Sequence, residues 1–134
     1  MSETSKIQRQ FDILYATLCE VQTGLVNSTA QVAGFLLLST GWIATSDTAQ
    51  KLLRSDRFTR RLAVAALGGA FVLYVAATMK TFVISEKTFA LLKKLDFMPP
   101  DYYENRRVDS AVLVVFLVGN LFLAGLEAGL VLRA

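Results

Sequence analysis

Residues 110–132 read SAVLVVFLVGNLFLAGLEAGLVL, in which Asn120 and Glu127 are the main polar interruptions. A helix of about 23 residues, at 1.5 Å per residue, crosses the roughly 30 Å hydrocarbon core of a lipid bilayer. In a soluble protein, apolar side chains recur instead at the spacing of one helix face or of alternate strand positions. This run therefore predicts a transmembrane helix.

Two further blocks upstream lack charge over a similar length. Residues 62–79 carry no charged side chain, and Lys80 can extend its ammonium group to lipid headgroups, so we place the second transmembrane helix at 62–84. The first block is semi-polar at its start, and we place its membrane part at 28–46, with Trp42 at an interface. The sequence therefore predicts an all-α integral membrane protein with three transmembrane helices.

The composition agrees with a membrane environment. Hydrophobic residues make up 54% of the 134 residues and charged residues only 19%. The net charge of +3 is compatible with a nucleic-acid partner, but the basic residues flank the apolar blocks and form no separate patch with interleaved aromatic residues. We therefore expect membrane lipids as partners, and no nucleic acid. The single cysteine, Cys19, cannot form an intramolecular disulfide.

The apolar residues ahead of the first block follow a heptad spacing. Steps of four and three residues connect Ile7, Phe11, Leu14, Leu18, Val21 and Leu25. No proline or capping cluster separates this segment from the first span, so we expect one helix from about Glu3 to Ser46. Residues 1–27 form its amphipathic part, which projects beyond the bilayer.

A similar overhang follows the second span. Residues 85–98 place Phe89, Leu92 and Leu95 on one helix face, with lysines elsewhere. Two crossings separate the two overhangs, so both lie on the same side of the membrane, and we expect them to pack as an antiparallel stalk. In the alternative arrangement, residues 85–98 lie flat on the membrane surface, held by the apolar stripe and the lysines.

Two loops complete a single membrane domain over residues 1–134. A basic loop at 47–61 connects the first two spans. A second loop at 99–109 starts with a Pro-Pro pair, which ends the preceding helix because proline lacks the amide donor and clashes with the turn before it. In this loop we expect Tyr102 and Tyr103 to lie at the level of the lipid headgroups.

Lysine and arginine are divided almost evenly between the two sides of the predicted membrane. The side of the N-terminus has eight: Lys6, Arg9, Lys80, Lys87, Lys93, Lys94, Arg106 and Arg107. The opposite side has six: Lys51, Arg54, Arg57, Arg60, Arg61 and Arg133. We expect no removable signal peptide, because no short apolar core follows the polar residues 1–10. Export of a charged tail without one is unfavourable, so we expect a multi-pass protein with a cytoplasmic N-terminus.

The sequence offers no catalytic or cofactor-binding pattern. It has no histidine, which removes the axial ligand of a membrane haem, the usual zinc and copper ligand and the commonest general base. It also has no P-loop, no GxGxxG pattern and no GxSxG pattern. We therefore expect a non-enzymatic protein without a cofactor or a catalytic metal.

Two polar residues of the third span are candidates for a function. An ionisable group such as Glu127 costs about 2.5 to 3.5 kcal/mol at the centre of a membrane, so it must face protein or water. It lies on the side of Arg60 and Arg61, which leaves two interpretations, a helix-end ion pair and a pore or proton-handling role. Asn120 lies about two turns earlier on nearly the same face, where its amide can bond another helix or line a polar path.

Five residues are our candidates for pore lining or interhelical polar contact: Glu127, Asn120, Gln31, Ser39 and Thr40. Six small residues are candidates for close helix packing: Gly125, Gly129, Ala65, Gly69, Ala66 and Ala70. Three spans with short loops bury little surface within one protomer. We therefore expect a homo-oligomer or a complex with a partner membrane subunit.

Two functions fit these features. The first is a self-assembled protein that forms an ion-conducting or membrane-perturbing pore. The second is a structural or accessory subunit of a larger membrane complex. A pore predicts that polar residues from at least two spans converge on one water-filled face, whereas an accessory subunit predicts that each polar residue is satisfied by a neighbouring helix.

Overall fold

The computed structural model describes residues 3–133, which form helices and no strand, so the predicted all-α fold is confirmed. The helices are α1 (Glu3–Thr45), α2 (Asp47–Ser55), α3 (Arg57–Leu95), α4 (Asp101–Glu104) and α5 (Ser110–Arg133). The three long helices α1, α3 and α5 all pack against one another. α1 and α3 run antiparallel, and α2 connects them.

α1 is a single helix of 43 residues, as the absence of a helix breaker predicts. Its buried residues continue the predicted heptad seam into the first apolar block: Phe11, Leu18, Gln22, Leu25, Thr29, Leu36 and Ile43. Steps of three, four or seven residues keep these positions on one helix face. That face packs against α3 and α5, and the opposite face of α1 is exposed.

The segment 47–61 is not the basic loop that we expected, because it contains α2 and the first turn of α3. Ser46 caps α2, and its hydroxyl accepts a hydrogen bond from the backbone amide of Ala49 at 3.3 Å. Ala49 and Leu53 are buried, and Leu53 packs against Val131 of α5. The segment has too few apolar positions for its sequence to indicate an amphipathic helix. Leu53 is buried by the ends of helices that are distant in the sequence.

α3 combines the predicted second span and the predicted extension in one helix of 39 residues. It ends at Leu95 and is followed by the C-cap residue Asp96, whose φ of 47° is left-handed, three residues before the Pro-Pro pair. Leu92 belongs to the same buried cluster as Phe11 and Leu18 of α1. The extension therefore continues α3 without a break and is an antiparallel partner of α1.

Asp56 caps the N-terminus of α3, and this cap is expected to depend on pH. Its carboxylate accepts hydrogen bonds from the backbone amides of Phe58 at 2.9 Å and Thr59 at 3.3 Å. The bond from Phe58 is the main reason that the pKa of Asp56 lies below its ordinary value of 3.8. The ionised cap therefore stabilises the first turn above that value, and the stabilisation is lost as the pH falls through the lowered pKa of the folded state.

We expect the hydrogen-exchange protection of the Phe58 and Thr59 amides to fall as the pH drops below the ordinary Asp value of 3.8. The Asp56→Asn variant is the matched control, because asparagine caps a helix about as well as aspartate and does not titrate. Its protection should not change over the same pH range. Equal losses of protection in both proteins would show that the Asp56 carboxylate is not the titrating group.

The loop after α3 folds back over the ends of α1 and α3. Tyr103, in α4, is 1% exposed and belongs to a buried cluster with Phe11, Leu18 and Leu92. The Phe89 ring meets the Tyr103 ring edge-on, with 5.4 Å between the centroids. The ring that we expected at the lipid headgroups therefore fills the space between two helices.

Arg107 connects the end of this loop to α3. Its guanidinium donates two hydrogen bonds to the carboxylate of Glu86, at 2.7 and 3.1 Å, and its Cζ atom lies 5.0 Å from the centroid of the Phe89 ring. The two charged side chains are 48% and 34% exposed, so we expect this pair to contribute at most about 1 kcal/mol to stability. We call residues 3–21 together with 86–109 the stalk.

Contacts at two levels define the part of the molecule in which three helices run side by side. At one level, the Gln22 side chain of α1 accepts a hydrogen bond from the backbone amide of Val108, just before α5. At the other level, Ile43 of α1 packs with Val131 near the end of α5. Between these levels α1 rises about 30 Å, the thickness of a hydrocarbon core. We call this part the three-helix section.

Within residues 3–133, two helices are long and apolar enough to cross a membrane, α3 and α5. α1 does not reach the same hydropathy, so this property supports two of the three predicted spans. The reason is the polar content of residues 28–46, which include Gln31, Ser39 and Thr40. Only 6% of the apolar stretch of α3 and 22% of that of α5 are buried, whereas the core helices of a soluble protein are mostly buried.

Candidate functional site

Polar side chains cross the interior of the three-helix section at three levels. At the first level, the amide nitrogen of Gln22 donates to the hydroxyl of Ser85 on α3, and its oxygen accepts from the backbone amide of Val108 at 2.8 Å. Gln22 is 7% exposed and Ser85 is 1% exposed. One carboxamide therefore connects α1 to α3 and to the start of α5.

Asn120 of α5 forms the second level and is 2% exposed. Its amide nitrogen donates to the backbone carbonyl of Thr29 in α1 at 3.3 Å and to the hydroxyl of Tyr74 in α3 at 3.0 Å. The carbonyl can accept this bond in addition to its helical one, because it has two lone pairs. Asn120 therefore contacts both other long helices, near the middle of the three-helix section.

Glu127 forms the third level, together with Ser39 of α1. The Ser39 hydroxyl lies 2.9 Å from Oε2 of Glu127 and 2.8 Å from the carbonyl of Phe35, and its one hydrogen is donated to either acceptor. Glu127 is 6% exposed. Within residues 3–133 it forms no ion pair with Arg60 or Arg61, so the helix-end pair that we considered is not formed.

A pocket of about 170 Å³ lies beside Glu127, where α2 covers the ends of the long helices. Its described lining is apolar apart from the carboxylate and the indole nitrogen: Trp42, Ile43, Ala49, Leu52, Leu53, Ala63, Leu67, Glu127 and Val131. An acidic group in such surroundings is poorly hydrated, which makes its bond to Ser39 more important than an exposed bond would be. The pocket is closed from one side by the helix that the sequence did not predict.

Gln31 and Thr40 take no part in the three levels. Gln31 is exposed on the side of α1 opposite its buried seam. The Thr40 hydroxyl is buried and has no hydrogen-bond partner in the described part of the chain. The structure therefore divides the predicted polar set, because Asn120, Ser39 and Glu127 meet polar groups of other helices and the other two do not.

The six predicted packing positions lie on or near the outer surface of the protomer. Gly129 is half-buried, and the exposed ones are Ala65, Ala66, Gly69, Ala70 and Gly125. A Cβ atom added at Gly69, Gly125 or Gly129 would meet nothing within 4 Å. These small residues therefore make no close helix contact within the protomer. A contact with another copy through them stays a prediction.

The interhelical residues that the sequence interpretation missed are Gln22, Thr29, Tyr74 and Ser85. Thr29 lies four residues beyond Leu25, where we ended the seam, so a longer seam would have included it. Gln22 lies next to Val21, the residue that we placed on the seam, and is buried in its place. Ser85 lies seven residues before buried Leu92, which is a similar signal on α3. Nothing in the sequence distinguishes Tyr74 from other aromatic residues in apolar blocks.

Comparisons with protein-family models, with curated proteins and with solved structures find no match to this chain. Among residues 3–133, no three or more His, Cys, Asp or Glu side chains are grouped so that they could hold a metal ion. The function must therefore be inferred from the geometry of the three polar levels. Each level consists of hydrogen bonds between helices of one protomer.

Proposed function

We propose that this chain is a non-enzymatic integral membrane protein with three crossings and a structural role as a subunit of a membrane assembly. One observation carries the structural role: Gln22, Asn120 and Glu127 are buried and are bonded to other helices of the same protomer. A conducting pore needs polar groups on a water-filled surface. Groups that are turned inwards and bonded to one another hold helices together instead.

The distribution of polarity supports a membrane setting for the three-helix section. Its interior contains buried polar residues, whereas its outer surface exposes large apolar ones such as Leu38, Leu73, Val115 and Phe122, at 78%, 72%, 70% and 68%. A soluble protein buries such side chains, because their exposure to water is unfavourable by about 1.5 to 3 kcal/mol each. Lipid removes this penalty for the outer residues and favours polar pairing inside.

The proposed third crossing is α1, despite its lower hydropathy. α1 runs beside α5 from Gln22, next to Val108, to Ile43, next to Val131. If α5 crosses a bilayer, this segment of α1 lies at the same depths. Part of the polarity that lowers its hydropathy is satisfied, since the Thr29 hydroxyl donates to a backbone carbonyl of α1 and the Ser39 hydroxyl donates either to such a carbonyl or to Glu127.

Loss of the Asn120 amide is expected to weaken the bundle. Asn120→Leu keeps a similar volume but removes the bonds to Tyr74 and to the carbonyl of Thr29. Interhelical hydrogen bonds in membranes contribute about 0.6 to 2 kcal/mol, so we expect the free energy of unfolding in mixed micelles to fall by about 1 to 2 kcal/mol. Tyr74→Phe should cost less, and the double variant should lose less than the sum of the two.

Conductance separates the structural role from the pore that we also considered. Vesicles reconstituted with the chain are expected to hold a potassium gradient as long as empty vesicles do, because Gln22, Asn120 and Glu127 are buried inside the protomer and line no water-filled surface. A leak that disappears in Glu127→Gln or Asn120→Leu would contradict the structural role.

In the stability experiment, losses of unfolding free energy that add fully in the double variant of Asn120 and Tyr74 would contradict the proposed interhelical bond.

A further inference from the structure

The exposed face of α1 differs in chemistry from the rest of the outer surface of the three-helix section. It lies opposite the buried seam and includes Thr23, Asn27, Ala30, Gln31, Gly34, Leu38 and Gly41, which we call the outer α1 face; Gly34 is half-buried and the others are exposed. The neighbouring outer surfaces of α3 and α5 expose apolar residues such as Val72 and Val115. Polar and small residues therefore interrupt an otherwise apolar belt.

Two carboxamides belong to this face: Gln31 lies well inside the belt, and Asn27 lies nearer to the stalk, where it lines a pocket with Asn105, Arg106 and Arg107. Gln31 is two residues beyond Thr29, which meets Asn120 near the middle of the three-helix section, and Asn27 is one turn closer to the stalk. Both are exposed, and neither forms a hydrogen bond within residues 3–133. In hydrocarbon, an amide without a partner is unfavourable by several kcal/mol, on the order of the cost for any unsatisfied polar group. The isolated protomer therefore leaves these two groups without partners.

A second copy of the chain offers these groups a matched partner. Copies inserted into a bilayer in the same orientation present the same residue at the same depth, so Gln31 meets Gln31 when two outer α1 faces approach each other. A carboxamide has both donors and an acceptor and no charge, so two identical ones can pair without repulsion.

Gly34, one of the two glycines of this face, is not required by packing within the protomer. A Cβ atom added at Gly34 would meet nothing within 4 Å. Ala30 lies one residue before Gln31 and Gly34 lies three residues after it, so the surface beside Gln31 is shallow and the backbone of a second helix can approach closely. The approach brings the two amides within hydrogen-bonding distance of their counterparts.

We infer that the outer α1 face is the surface through which a second copy of this chain binds, with Asn27 and Gln31 paired across the contact. This interface rests on the proposed membrane setting, because in water the two amides would be hydrated. The other small-residue surface, around Gly125 and Gly129, is apolar apart from Arg133 at the end of α5, which can extend its charged group to the lipid headgroups, so lipid covers it at no such cost.

Disulfide cross-linking in vesicles tests this interface with a matched control. In a Cys19→Ser background, Leu38→Cys places a thiol on the outer α1 face and leaves both amides intact. Leu126→Cys places one on the outer surface of α5 at a similar depth, since Ser39 bonds Glu127. At low protein-to-lipid ratio we expect covalent dimers at Leu38→Cys to exceed those at Leu126→Cys at least about fivefold.

Two variants show whether the amides and the glycine cause the association. We expect Asn27→Leu with Gln31→Leu to reduce dimers at Leu38→Cys about tenfold, from loss of the amide bonds. Gly34→Leu should have a comparable effect, because a Cβ atom at this position meets nothing within 4 Å in the protomer and the residue lies opposite the buried seam. Gly125→Leu should have none. Equal cross-linking on both surfaces, none on either, or sensitivity to Gly125→Leu alone would overturn the interface.

The membrane setting is checked on the same samples, so that its failure is distinguished from failure of the interface. A membrane-impermeant thiol reagent should not reach Leu38→Cys in intact vesicles. If the reagent labels that thiol freely, the proposed membrane setting fails. If the thiol is protected but no dimers form, the membrane setting stands and the interface is wrong.

Discussion

Replacement of Leu73 by arginine is expected to prevent stable insertion of the chain into a bilayer. Leu73 is 72% exposed and precedes Tyr74, which lies at the middle polar level. A charged side chain at the centre of a membrane helix costs about 2.5 to 3.5 kcal/mol on insertion scales. In a soluble protein, an exposed leucine could be replaced by arginine with a change of less than about 0.5 kcal/mol. The inserted fraction, measured after carbonate extraction of membranes, distinguishes the two settings.

Ile13→Arg is the control for this experiment. Ile13 is 58% exposed and lies in the stalk, which we place in water. We expect this variant to insert like the unmodified chain. Equal insertion of the Leu73→Arg and Ile13→Arg proteins would contradict a lipid-facing position for Leu73.

Truncation of Leu18 to alanine is expected to have the largest effect on the stalk. Leu18 is fully buried, and it packs with Phe11, Leu92 and Tyr103. Leucine-to-alanine changes in a buried cluster cost about 2 to 5 kcal/mol, because a cavity is left in addition to the lost transfer free energy. The stalk amides of α1 should therefore exchange with deuterium far faster than in the unmodified chain.

Ile13→Ala is the matched control, since it removes apolar atoms from the same helix at an exposed position. We expect a change below about 0.5 kcal/mol. The amides of the three-helix section should keep their protection in both variants, because their contacts lie elsewhere. Loss of protection limited to the chain ends in Leu18→Ala would show that the stalk does not depend on this cluster.

The three long helices α1, α3 and α5 were predictable because the sequence patterns that indicate them are local. Uninterrupted apolar runs and the seam from Ile7 to Leu25 depend only on residue spacing. α1 and α3 each continue without a break from the predicted span into the predicted extension. Phe11, Leu18 and Leu25, which lie on the predicted seam, are buried.

The elements that the sequence did not reveal depend on distant contacts. α2 is a short helix whose buried residues are few, and Leu53 is covered by the end of α5. Tyr103 has the neighbours of an interfacial tyrosine in the sequence, but the loop folds back and buries it beside Phe89. This burial depends on the path of the loop back over the ends of α1 and α3, and no local sequence pattern specifies that path.

The candidate site was predictable in part. The membrane cost of Asn120 and Glu127 identified them, since a polar group in an apolar run must have a partner. The identity of the partners could not be inferred, because Ser39 and Tyr74 become neighbours only when the helix registers are fixed. Gln31 is as polar as these residues but faces outwards, a distinction that needs the direction of the α1 seam.

The most direct test of the three-crossing arrangement is labelling of single cysteines from one side of sealed membranes. In a Cys19→Ser background, thiols at Gln8→Cys in α1 and Asn105→Cys in the loop after α4 report on the two parts of the stalk, and Lys51→Cys reports on α2. With an impermeant maleimide, we expect the first two to be labelled from the same side and the third only from the opposite side. Labelling of all three from one side would contradict a crossing by α1 and with it the proposed arrangement.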